Sequence, residues 1–288
     1  MTIPEVCIKL LAVNYQCELS KQSNEGTIGI KRGADITDVL DFDSYLIYAD
    51  NPNLVTEFFS EVLYNHLGAE LNWDLKVTRE EKAKRVVEIF TQQNSFIELV
   101  RAAEGNCRDF LCILSKAFWD YRQQGSAKAI STPHILDAAS SWFDGEKYVN
   151  IRGEPILDKT LTFIMNTIKE YKSRTFMVEA SKAQSLVLTR LLNERVLHKL
   201  SGFYSHKDRP GERYELFNLD YGAYVRFKVL SKGANKEHYQ SAFPFAIEVP
   251  KVTKDEQLFM VPVDDKRSIR RIVFDPDVLK ATDESALF

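Results

Sequence analysis

The sequence predicts an α+β protein: a mainly α-helical domain, then a smaller domain built around a β-hairpin, with extra strands near the C-terminus. Three observations carry this prediction. Between Asn51 and Phe143, apolar residues recur every three or four positions in one segment after another. Between Ile156 and Glu194, two helical patterns flank the short β-type run "TFMVE". Beyond them two β-rich runs, "RVLHKLSGFYS" and "RYELFNLDYGAYVRF", face each other across "HKDRPGE", whose Pro210-Gly211 is a turn signal.

Taken in order, "EVCIKLLAVNY" is short and rich in Val, Ile and Leu, the pattern of a buried strand. A polar loop, "CELSKQSNEG", leads to "TIGIKRGADITDVLDFD", which Gly29 and Gly33 punctuate. "NPNLVTEFFSEVLYNHL" is an amphipathic helix with Asn51 and Pro52 as cap and first-turn residue. Thr78 and Glu81 have capping-box spacing at the head of the next helix. "SFIELVRAAEG" is a short helix that Gly105 can end in the left-handed conformation, and Asn106 caps "CRDFLCILSKAFWDYRQQG". Ser131 and Pro133 open "STPHILDAASSWF". The pattern loosens from Asp144 to Gly153, which sets a boundary there. The expected divisions are 1–50 (strand and linker), 51–148 (helical domain), 149–230 (hairpin-bearing domain) and 231–288 (C-terminal strands and tail). The helix "ILDKTLTFIMNTIKEYKSR", the strand "TFMVE", a helix capped by Ser181 and the hairpin make a winged-helix pattern with one helix fewer than usual. There is no internal repeat.

With 44% hydrophobic and 27% charged residues over 288 positions, the chain is not a disordered one. A net charge of −3 makes no general demand for nucleic acid, so any such binding rests on a local patch. No apolar run reaches the roughly 18 residues of a membrane span, and "MTIPEVCIKLLAVNYQ" lacks the basic start of a signal peptide. Cys7, Cys17, Cys107 and Cys112 have neither C-x-x-C nor finger spacing, which fits reduced, mostly buried thiols in a cytoplasmic protein.

The sequence holds no G-x-x-x-x-G-K-[ST], no G-x-G-x-x-G opening a helix, no G-x-S-x-G and no H-E-x-x-H. Gly29 and Gly33 are the nearest thing to a phosphate cradle, without the Lys-Ser/Thr ending it needs. His198 and His206 bracket the incoming hairpin strand in surface or packing positions. In "GNCRDF", Arg108 stands near a helix N-terminus, where the helix dipole is unfavourable to a cation. Either a phosphate nearby reverses that, or Asp109 beside it offsets it. The hairpin carries Lys207, Arg209 and Arg213, with Lys199 on the incoming strand and Arg226 on the outgoing one. These suit phosphate contact, as in DNA binding, or equally a solvated hairpin or protein contact, since Asp208 and Glu212 dilute the charge. "DDKRSIRR" reads as a solvated strand edge before it reads as a nucleic-acid contact.

"LVRAAEGNCRDFLCILSKAF", "ISTPHILDAASSWF" and "LLNERVLHKLSGFYSHKDRPGERYELFNLDYGAYV" together resemble the C-terminal half of a bacterial P-loop ATPase family, the origin-recognition type of AAA+ and STAND-like ATPases. "GNCRDF" is similar to that family's second-sensor motif, with Cys107 where Pro is usual, and "CIKLLAVNY" to its first-sensor strand, with Asn14 as sensor residue. The resemblance implies that 1–50 is a remnant of the ATPase core, 51–148 a helical lid and 149–230 a winged helix, and that Arg108 senses nucleotide. It also implies a chain that starts near the first-sensor strand and lacks the phosphate loop, so that ATP and Mg are held only with a partner chain. The expected function is a non-catalytic lid plus winged-helix module that binds a partner ATPase subunit or a second copy, or DNA through the wing, with phage defence as an analogy. The alternatives are half of a split ATPase and an interaction protein without nucleotide or nucleic acid. The strand from Val6 to Tyr15 is expected to be covered by residues 231–288, by a partner or by a second copy.

Overall fold

The computed structural model describes residues 19–24, 26–30, 46–125, 128–171, 174–206, 209–230 and 273–277, and its fold class is α+β. Residues 1–41 and 42–288 form two compact units. The described part of the first unit is an antiparallel hairpin, β1 (Ser20–Ser23) and β2 (Gly26–Gly29). The segment expected as a polar loop therefore contributes a strand, which its exposed polar side chains disguise. Gly29 has φ +120°, and a Cβ there would stand 2.4 Å from the Leu19 carbonyl oxygen. The close approach of two strands requires this glycine, so no phosphate cradle is needed to account for it. The strand expected over Val6 to Tyr15, Asn14, Gly33, Cys7 and Cys17 lie outside the described residues.

The second unit opens with five helices: α1 (Pro52–Leu71), α2 (Arg79–Val87), α3 (Gln93–Ala103), α4 (Cys107–Gln124) and α5 (Thr132–Trp142). The caps read from sequence do their work at α2, where Thr78 and Glu81 form a reciprocal capping box, and at α4, where Asn106 accepts from two backbone N–H groups. At α5 the box partner is His134, whose Nδ1 accepts from the Ser131 N–H at 3.0 Å. Phe59 of α1 stacks on Phe110 of α4 at 4.5 Å, and Phe96 of α3 meets Phe110 edge-on. These rings form the centre of the helical core.

The loosened stretch after α5 is helical. A π-helical turn, Phe143–Lys147, runs straight on into α6 (Tyr148–Arg152). The wider turn shifts the helical register, and Lys147 is left 1% exposed. Next come α7 (Pro155–Tyr171), β3 (Thr175–Glu179), α8 (Leu186–Asn193), β4 (Leu197–His206), β5 (Arg209–Leu219) and α9 (Tyr221–Leu230). The sheet is antiparallel in the order β3-β5-β4. One hydrophobic core runs from α1 through α7, β3 and α8 to α9.

Four expectations need correction here. Helix α8 starts four residues later than read: Ser185 caps it, while Ser181 lies in the turns after β3 and donates to the Glu179 carboxylate. Pro210-Gly211 is inside β5 rather than at the hairpin turn. His206 pairs with Arg209 and Ser205 with Arg213, so residues 210–212 form a bulge, with Gly211 at φ +95°. The returning strand ends at Leu219, and "YGAYVRF" belongs to α9. Its aromatic residues favour β structure locally, but Asp220 caps it and residues 221–225 are all buried. A Cβ on Gly222 would lie 2.5 Å from the Ala139 carbonyl oxygen, so α9 crosses the end of α5 at backbone distance. Finally, Cys107 is an exposed free thiol and Cys112 is half-buried, so the thiols are not uniformly inside.

Among the described residues, the extra C-terminal strands reduce to an isolated parallel bridge between Val273 and Met177. No helix of the described residues is long and apolar enough to cross a membrane.

Candidate functional site

The turn into α4 splits its two charged residues. Gly105, at φ +79°, brings the chain within a Cβ's clash of the Leu46 carbonyl oxygen. Asn106 Oδ1 then accepts from the N–H groups of Arg108 and Asp109 at 2.9 and 3.1 Å. From this cap Arg108 points out and Asp109 points in. Arg108 is 63% exposed, pairs at 3.7 Å with Glu146 of the π-helical turn, and lies 5.8 Å over the Trp142 ring.

Asp109 enters a buried charge cluster. Its Oδ2 meets Lys147 Nζ at 2.9 Å and its Oδ1 meets Arg195 at 2.8 Å. Lys147 Nζ also reaches Asp220 Oδ2 at 2.6 Å, and His198 Nε2 shares that oxygen at 3.2 Å. Asp220 Oδ1 accepts from the Gly222 N–H, which caps α9. Burial works against the Lys147 ammonium, but the Asp220 and Asp109 carboxylates outweigh it and raise its pKa above the ordinary lysine value. Burial likewise opposes ionisation of Asp220, yet Lys147 and His198 hold its pKa well below the usual carboxylate range. Two carboxylates are thus balanced by Lys147 and Arg195.

A second cluster starts one residue on. The Tyr221 hydroxyl donates to Glu98, which also pairs with Arg101 at 3.0 Å. Arg174, 1% exposed, pairs with Glu104 and lies over the Tyr221 ring. Burial and the Glu98 carboxylate raise the Tyr221 pKa well above its ordinary value. Arg195 and Glu104 adopt left-handed backbone conformations, at φ 57° and 46°. Each such residue costs about 1–2 kcal/mol, and here each is held by an ion pair between the helical half and the sheet half.

Two of the cations expected to serve the hairpin face carboxylates. Lys199 pairs with Glu215 at 2.8 Å. Arg226 is on α9 rather than on the outgoing strand, 3.3 Å from Asp144 and over the Tyr148 ring. Arg213 is exposed on β5, and Arg209 opens that strand opposite His206. Lys207 and the "DDKRSIRR" run lie outside the described residues. Helix α8 carries one cation, Arg190, which Glu154 holds with both carboxylate oxygens. His198 packs against Asp220, in keeping with a packing role.

Sequence reading picked out Arg108 but missed Lys147, Arg174, Arg195 and Asp220 as a connected group. One signal was available: Asp220 is a good N-cap residue, once "YGAYVRF" is recognised as a helix. Among the described residues no three His, Cys, Asp or Glu side chains gather as metal ligands. No protein-family model matches the chain, and comparison with curated proteins and with solved structures finds no match either.

Proposed function

We propose that this chain is a non-catalytic binding module, a helical lid joined to a winged-helix-like unit. It docks on a P-loop ATPase subunit and presents Arg108 to nucleotide held there. The observation that carries the reading is the division of labour in "GNCRDF": Asp109 is locked inside while Arg108 stays 63% exposed at the start of α4. A guanidinium left exposed beside Trp142, with Glu146 at 3.7 Å, is open to an anion brought by another chain. The winged-helix part of the reading draws support from the order α7, β3, α8, β4, β5 and from a sheet ordered β3-β5-β4. The given residues hold no phosphate-loop motif, so the reading assigns to the partner the cradle and metal ligand that phosphoryl transfer needs.

A protein partner is favoured over DNA. The helix that would enter a groove has its one arginine tied to Glu154, and Lys199 and Arg226 are matched by carboxylates. The DNA version rests on Arg209 and Arg213 of β5 and on Lys207, which precedes that strand in the sequence. The split-ATPase reading uses the same docking but leaves the partner without turnover until this chain completes its site.

The test joins the purified chain to a P-loop protein encoded beside it. The expected result is a stable complex, no Mg-ATP binding by this chain alone, and hydrolysis in the complex that falls roughly 10³-fold in Arg108→Ala while the complex persists. Tight Mg-ATP binding with phosphate release by the isolated chain overturns the proposal. So does a complex whose rate ignores Arg108→Ala. Salt-dependent binding of a duplex, lost on changing Lys207, Arg209 and Arg213 to Ala, moves the assignment to DNA.

A further inference from the structure

Residues 273–277, "VFDPD", return to the sheet from beyond α9, separated from it by residues 231–272. Val273 bridges Met177 in the parallel sense, on the edge of β3 that faces away from β5. The Phe274 N–H donates to the Met177 carbonyl at 2.8 Å. The Phe274 side chain, 4% exposed, enters an aromatic pit between Phe163 of α7 and Phe176 of β3, with ring centroids 5.9 Å from each. Lys182 closes the rim, 2.6 Å from Asp275 and 3.5 Å from Asp277.

The edge of β3 thus offers three things to one short segment: a main-chain acceptor, an apolar pit and a cation. Sheet edges that bind peptides use this combination, in which the main chain supplies affinity and alternate side chains supply selectivity. The grip is uneven. Phe274 and Pro276 are buried, but Val273 is 44% exposed and the ion pairs are 34–49% exposed. Exposed pairs hold weakly and are screened by salt. The buried part of the attachment is therefore confined to Phe274 and Pro276.

We propose that the β3 edge is a docking groove for an extended peptide of apolar–Phe–acidic–x–acidic pattern, and that residues 273–277 occupy it in cis as a displaceable clip. A partner carrying such a segment engages the groove by replacing the clip. Asp275 adds a pH response, since the hydrogen bond from Lys182 holds its carboxyl below its ordinary value. The carboxylate that grips Lys182 is present at neutral pH and is lost as pH falls through that lowered value.

The test uses the full chain and a fluorescent peptide of residues 270–279, RRIVFDPDVL. In Phe274→Ala the clip loses its anchor, so this variant should bind the peptide at least about tenfold more tightly than the unaltered chain. A peptide carrying Phe274→Ala should not bind, and adding Lys182→Glu to the F274A chain should weaken binding. Equal affinity of the two chains, or indifference to the peptide's Phe, overturns the proposal. Hydrogen exchange on the unaltered chain tests it without any variant. The Phe274 amide, bonded to Met177, should exchange far faster than the Asp220 amide, bonded to Val196. Equal protection of the two amides makes the segment part of the core and overturns the clip.

Discussion

Two groups of charges among the described residues obey different physics. On the hairpin and its surroundings, Lys199, Arg213 and Arg226 are at least partly solvated and meet one carboxylate or none among the described residues. At the junction of the helical half with the sheet, Lys147, Arg174, Asp109 and Asp220 are each about 1% exposed and interlocked. The hairpin charges cluster along the sequence and so draw attention. The junction charges come from positions as far apart in the chain as Asp109 and Asp220, and they tie the helical half to the sheet half. Water screens the first group, whereas the second has only its partners to replace water.

The largest effect is expected at Lys147. Lys147→Met removes the cation between two buried carboxylates, leaving Asp109 with Arg195 and Asp220 with His198. Thermal or urea unfolding should show a loss of about 5 kcal/mol, the upper end for breaking a buried pair. The pH dependence has a definite sign. In the unaltered chain Asp220 has a lowered pKa, so its contribution is complete above the unfolded carboxylate value and is lost as pH falls through the folded one. Lys147, with a raised pKa, contributes fully below the unfolded lysine value and loses that only as pH rises through its folded one. In Lys147→Met the unbalanced carboxylates protonate more readily, so the deficit should be largest near neutrality and shrink on acidification. A deficit independent of pH would mean that Lys147 stabilises by packing rather than by charge.

Arg174 comes next. Arg174→Leu strands Glu104 in the interior, where one of its carboxylate oxygens already lacks a hydrogen-bond partner among the described residues. The expected loss is about 3 kcal/mol. Adding Glu104→Gly removes the stranded carboxylate and relieves a left-handed backbone at φ 46°, so the double variant should recover most of that loss. If it recovers nothing, Arg174 acts through its contact with Tyr221 instead.

The same contrast explains what could be read from the sequence. Local signals were legible because local physics fixes them: the Thr78/Glu81 box, the Asn106 cap, and the apolar spacing of α1 and α4. The helix–strand–helix–hairpin order was legible in the same way, from the apolar spacing of α7 and the β-type runs after it. Three things were not legible. The register shift at the π-helical turn sends Lys147 inward, and composition cannot show that. The tyrosine-rich start of α9 has β propensity, which burial against α5 overrides. The bulge at residues 210–212 turns an apparent turn signal into part of a strand. Arg108 was found because its neighbours form a motif, whereas Arg174 and Asp220 have meaning only through partners distant in the chain.

Arg195 sits between the two regions, at 32% side-chain exposure and φ 57°. Arg195→Ala keeps the strained backbone and loses the pair with Asp109, for an expected loss of about 2 kcal/mol. Arg195→Gly loses the same pair but accepts the left-handed conformation, so it should be the more stable of the two by about 1 kcal/mol. A glycine variant no better than the alanine one would show that the backbone carries no strain there.

The smallest effect is expected at Lys199, and its salt dependence is the sharper measurement. Lys199→Gln removes a partly exposed partner of Glu215 and should lower stability by about 0.5 kcal/mol at low ionic strength. Raising salt towards 1 M shortens the screening length to about 3 Å and should erase most of that difference. The Lys147→Met deficit should persist under the same salt, because ions do not reach a side chain that is 1% exposed. Parallel salt curves for the two variants would contradict the division into two regions. Diverging curves would show that the charges joining the two halves lie beyond the reach of solvent, while those on the hairpin remain open to whatever binds there.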